Sequence, residues 1–122
     1  MEKHQLLAVL KKACQGLLFP SETDAELEPF LWENGNALTP VRLVDIAGFA
    51  DGTQVETMEL AEFFYAVPKA DKPAFDTLAH LLTEHLAGVK VYKIGEIDKA
   101  VYIVGKTEKG PWAGVKTQVV ET

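Results

Sequence analysis

Val89-Lys90-Val91-Tyr92-Lys93-Ile94, then Ala100-Val101-Tyr102-Ile103-Val104-Gly105-Lys106-Thr107, then Trp112 to Val120 make up most of the last part of the chain. All three are rich in β-branched and aromatic residues, which suit a pleated, half-buried surface. Between them stand Gly95-Glu96 with Asp98-Lys99, and Glu108-Lys109-Gly110-Pro111, residue types that supply turns. Three antiparallel strands are the consequence. A further short strand, Phe30-Leu31-Trp32-Glu33, lies between Pro29 and the turn Asn34-Gly35-Asn36. The chain is therefore organised on a small, mainly antiparallel sheet.

Such a sheet needs cover, and the rest of the sequence supplies it as helix. From about His4 to Gln15, Leu6, Leu7, Val9, Leu10, Ala13 and Cys14 recur at helical spacing, with Lys11 and Lys12 opposite and Gly16 as a stop. Thr39-Pro40 starts a second helix that runs to about Ala47 and ends at Gly48. Gln54 to Met58 alternates like a short edge strand, and Leu60 to Val67 reads as helix. Of its consecutive aromatics Phe63, Phe64 and Tyr65, two are expected in the core and one at a boundary. After a loop over 66–73, Asp71 is placed as N-cap of a helix from about Lys72 to Ala87, ended by Gly88. The expected fold class is α+β: an α-β-α sandwich, one domain spanning residues 1–122.

Composition narrows function. A chain of 122 residues with 48% apolar residues can bury its own core without a disulfide or a structural metal. The net charge of −6 argues against nucleic acid as a direct ligand, because phosphate binding is driven by clustered Lys and Arg. It suits a basic partner, and it also keeps a small domain soluble. The single cysteine, Cys14, cannot form an internal disulfide and falls on the apolar stripe of the first helix. With no long apolar run in the sequence, neither a signal peptide nor a membrane span is expected, and the cytoplasm is the expected location.

The stretch without an evident structural duty is Leu17-Leu18-Phe19-Pro20-Ser21-Glu22-Thr23-Asp24-Ala25-Glu26-Leu27-Glu28. It reads as an acidic loop in which three apolar residues pin the start, Pro20 stops any helix and carboxylates follow at every second position. Ser21 or Thr23 would cap a short turn, leaving the acids as a solvated face. Catalysis by a pair such as Glu22 with Asp24 or Glu26 would need one carboxyl in an apolar pocket. A calcium loop would need six or more oxygens around one point and usually a glycine turn, and this segment has no glycine. No nucleotide-binding glycine loop, Cys/His metal spacing or Gly-x-Ser-x-Gly elbow occurs. His80 and His85 would lie about 140° apart on one helix and cannot share a metal.

Longer motifs are more specific. Leu17-Leu18-Phe19-Pro20-Ser21-Glu22, then Pro29-Phe30-Leu31-Trp32-Glu33, Ala37-Leu38-Thr39-Pro40, Val101 to Thr107 and the ending Val119-Val120-Glu121-Thr122 resemble the nuclease A inhibitor (NuiA) family nearly end to end. The resemblance implies an α-β-α sandwich that blocks a sugar-non-specific DNA/RNA endonuclease of the ββα-metal type. It implies that Glu22 reaches the catalytic divalent metal of that nuclease, with Thr122 helping at the same place. Thr122 would bring its hydroxyl and an α-carboxylate. Ser21, Thr23, Asp24, Glu26 and Glu121 would complete the partner-binding surface. No catalytic residue, cofactor or metal of its own is implied, and the protein is expected to be a monomer when free. One departure is the short 68–73 segment, which lacks the aromatic contact residue of the family pattern. The alternative is an acidic interaction module that binds a non-nuclease partner on the same scaffold.

Overall fold

The computed structural model describes residues 3–20, 24–32, 40–50, 52–108 and 110–121. Ser21, Glu22, Thr23, the 33–39 segment with the Thr39 cap, and Thr122 lie outside the described residues. The elements are α1 (Lys3–Cys14), β1 (Leu18–Phe19), β2 (Ala25–Glu26), β3 (Glu28–Trp32), α2 (Pro40–Ile46), β4 (Val55–Met58), α3 (Leu60–Tyr65), α4 (Lys72–His85), β5 (Ala87–Ile94), β6 (Asp98–Lys106) and β7 (Trp112–Val120).

Five strands form one open sheet in the order β3-β7-β6-β5-β4, and every pairing is antiparallel. The expected hairpins are there: Ile94 pairs with Ala100 across the first turn, and Lys106 with Trp112 across the second. Both edges are blunted. β3 carries Pro29, whose missing N–H is tolerated only where no further strand must be paired, and β4 has just four residues.

Strand alternation then sorts the side chains into two cores. On one face Val91, Val101, Ile103, Val115 and Val119 meet Leu6, Leu10 and Cys14 of α1, Leu60, Phe63 and Phe64 of α3, and Phe75, Leu78 and Leu82 of α4. On the other, Ile94 meets Leu43 and Val44 of α2, with Trp32, Tyr92 and Tyr102 packed around them. Helices thus cover both faces of the sheet, the expected α-β-α layering of an α+β fold. Of the consecutive aromatics, Phe63 and Phe64 are buried and Tyr65 is 82% exposed. α2 ends as read: Gly48 adopts φ +82°, which lets the Phe49 N–H donate back to the Val44 carbonyl at 3.0 Å.

Four local expectations need correction. The acidic stretch is not an irregular loop, because β1 and β2 pair as an antiparallel ribbon, Leu18 with Glu26 and Phe19 with Ala25, and Glu28 already belongs to β3. Nor do all three apolar residues pin it: Phe19 is buried, whereas Leu18 is 47% exposed. Asp71 precedes α4 but makes no side-chain cap, since its own backbone is already helical. Gly88 does not end α4, which stops at His85. It sits instead in β5 at φ +62°, where the register with β6 slips between Ala87 and Lys90 and a bulge needs that conformation.

Candidate functional site

The acidic ribbon is seated where the edge of the sheet would otherwise be open. β3 pairs with β7 only as far as Glu28 opposite Lys116, so the remaining residues of β7, from Thr117 on, have no strand from β3 beside them. There the Thr117 hydroxyl donates to the Glu26 carbonyl at 2.9 Å. Thr117 is a buried polar residue among apolar neighbours, and this bond satisfies its hydroxyl. Two apolar residues complete the seat. Leu27 is 5% exposed, and Phe19 stacks on Phe63 at 4.2 Å while meeting Phe75 edge-on at 6.0 Å. The ribbon is therefore held by side chains of β7, α3 and α4.

Neither Leu27 nor Thr117 was expected to position the acidic stretch. The signal for Leu27 was present: acids at every second position leave Ala25 and Leu27 alternating with them, which is a strand period with one buried face. Thr117 had no such signal, because its partner is a backbone carbonyl 91 residues away.

Seating makes the carboxylates unequal. Asp24, Glu26 and Glu28 are all exposed, but Glu28 faces a cross-strand lysine, Lys116, at 3.6 Å. Asp24 and Glu26 also border a groove of about 750 Å³ on the α2 side of the sheet, together with Val119 and Val120 at the end of β7. The structure thus brings Asp24 and Glu26 into one groove with Val119 and Val120. Ser21, Glu22, Thr23 and Thr122 fall outside the described residues.

Glu121 itself is fastened. Its N–H donates to the Ile97 carbonyl at 3.0 Å, and its carboxylate accepts from Lys93 at 2.9 Å and lies 3.4 Å from the Lys99 ammonium. Lys99 also approaches Glu56 at 3.9 Å. Both lysine side chains are largely buried, at 11% and 14% exposure. The Lys93 hydrogen bond, reinforced by the charges of Lys93 and Lys99, holds the Glu121 carboxyl below the ordinary range. The Glu121 side chain, expected at the partner surface, is 42% exposed while paired with these two lysines.

Among the described residues no group of three or more His, Cys, Asp or Glu could hold a metal ion. Burial pushes the Cys14 thiol up to about 11, which removes the thiolate a nucleophile needs. His80 is exposed beside Glu84 at 3.4 Å. No described helix is long and apolar enough to cross a membrane.

Fold and site together define an α+β protein, an antiparallel sheet covered by helices on both faces, that carries an anchored acidic ribbon. Residues 4–122 match the family model described as nuclease A inhibitor-like protein, NuiA, and the chain belongs to that family. No curated protein matches it. Membership supports a nuclease-inhibitor role in general terms, implies a nuclease as partner and points to a non-enzymatic protein.

Proposed function

We propose that this protein inhibits a metal-dependent, sugar-non-specific DNA/RNA endonuclease of the ββα-metal type, with Glu22 reaching the nuclease's divalent metal and Thr122 alongside it. One observation carries the reading beyond family membership. Asp24, two residues from Glu22, and Val120, two residues from Thr122, line the same groove, so segments almost a hundred positions apart in sequence converge.

The chemistry is substitution for substrate. A hard cation that holds a scissile phosphate accepts carboxylate oxygen equally well, so a glutamate at the metal occupies the phosphate's place. Ser21, Thr23, Asp24 and Glu26 flank it in the sequence, and Glu121, held by Lys93, directly precedes Thr122. Negative charge at this end meets a channel that must be basic to bind nucleic acid, which raises the association rate and makes it fall with salt. The protein acts without a cofactor, as a monomer when free, in the cytoplasm.

Following DNA digestion by several ββα-metal nucleases with and without the protein tests the proposal. Inhibition is expected, and Glu22→Ala should weaken it by about a hundredfold, roughly the worth of a charge-assisted contact, while Glu28→Ala, already paired with Lys116, changes it little. Equal losses would mean bulk charge attraction only. No inhibition of any such enzyme would favour a non-nuclease partner on the same scaffold.

A further inference from the structure

We infer that the groove between the acidic ribbon and the end of α2 seats a basic segment of the partner nuclease, a stretch bearing lysine or arginine whose aliphatic stems lie on the groove floor. The inference rests on the reading above and assigns to the interface residues outside the ribbon and the terminus, chiefly Asp98 and Ala100.

The groove holds about 750 Å³, and Ala100, Tyr102 and Gln118 form its floor, with Ala47 and Phe49 as a wall. The four apolar residues among these are half-buried, leaving apolar surface open to a ligand. Carboxylates stand on opposite sides: Asp24, Glu26 and Glu28 from the ribbon and the start of β3, and Asp98 from the start of β6. Two lysines border the same space, and both are engaged. Lys116 lies 3.6 Å from Glu28, and the Lys99 ammonium is shared between Glu121 and Glu56. Among the described residues no cation pairs with Asp24, Glu26 or Asp98.

An apolar floor under uncompensated carboxylates complements a side chain with a methylene stem and a cationic head. A nuclease channel displays such side chains, because phosphate binding requires them. A second copy of this chain would instead bring another net charge of −6 to an acidic rim.

The test measures inhibition of a ββα-metal nuclease by the full chain and by the variants Asp98→Lys and Ala100→Phe. The control is Glu84→Lys, an equal charge change on α4, whose residues do not line the groove. Both groove variants should raise the inhibition constant by about tenfold or more, as like-charge contact and a filled pocket do, and Asp98→Lys should flatten the salt dependence of association. Glu84→Lys should leave both close to wild type. Wild-type inhibition by Asp98→Lys would overturn the groove assignment and leave the nuclease reading standing. Failure of the wild type to inhibit would overturn that reading and this assignment with it. Self-association of the free protein that Ala100→Phe abolishes would overturn it in favour of a second copy.

Discussion

Lys93 on β5 donates to the Glu121 carboxylate at 2.9 Å while its ammonium stands 5.6 Å from the centre of the Phe63 ring, so the end of the described chain is tied both to the sheet and to the helical layer. The folded state favours the ionised carboxylate, and its pKa is depressed below the ordinary 4.5. Above the unfolded value this contribution is fully present. It is lost as pH falls below about 4.5 through the folded value, where both states bind the proton. Glu121 is 42% exposed, so screening limits the contribution to about 1 kcal/mol or less. Glu121→Gln should flatten the acid limb of a stability-versus-pH curve by that amount, measured by urea unfolding. Lys93→Met should also weaken nuclease inhibition if the clamp positions Thr122.

Phe19 is the aromatic anchor of the acidic ribbon, stacked on Phe63 and 4% exposed. Phe19→Ala should cost about 3–5 kcal/mol, the usual range for an aromatic deleted from a core. Leu18→Ala, at 47% exposure, should stay within about 0.5 kcal/mol. Chemical denaturation of the two variants side by side separates the anchor from its neighbour.

Gly114 is the most crowded of the described glycines. It pairs with Phe30 on one side and Val104 on the other, and a Cβ there would fall 1.8 Å from the Ile103 carbonyl oxygen. The obstacle is backbone and cannot rotate away. Gly114→Ala should lose about 3 kcal/mol or more, at the upper end of overpacking, and its thermal midpoint should drop accordingly.

The Thr107 hydroxyl is buried with no hydrogen-bond partner among the described residues, although the Thr107 N–H is satisfied by the Pro111 carbonyl at 2.8 Å. Replacing an unsatisfied hydroxyl by a methyl of the same shape removes a desolvation penalty. Thr107→Val should therefore raise stability by about 1 kcal/mol in equilibrium unfolding.

Much of the frame was legible because its signals are periodic and local. The strands β5, β6 and β7, the edge strand β4 and the helices α1, α2 and α4 lie within a few residues of their expected bounds. The errors fall at junctions. Leu86 is already extended, so α4 yields to the sheet before Gly88, where a register slip needs a positive φ. Leu18 was grouped with Phe19 on hydrophobicity alone, and strand alternation sends adjacent residues to opposite faces, which here buries Phe19 and leaves Leu18 47% exposed.

For the acidic stretch, the sequence determined the chemistry: carboxylates at every second position, a proline that breaks helix, and motifs that place the chain in the nuclease A inhibitor-like family. Only the tertiary structure decided how those charges differ. Lys116 takes up Glu28, Thr117 holds the Glu26 backbone, and Lys93 and Lys99 take up Glu121, leaving Asp24, Glu26 and Asp98 around an open groove. The reason is physical. Periodicity and turn chemistry act over a few residues, whereas the pairing of a charge depends on which strand lies beside it, and that is settled only when distant segments pack.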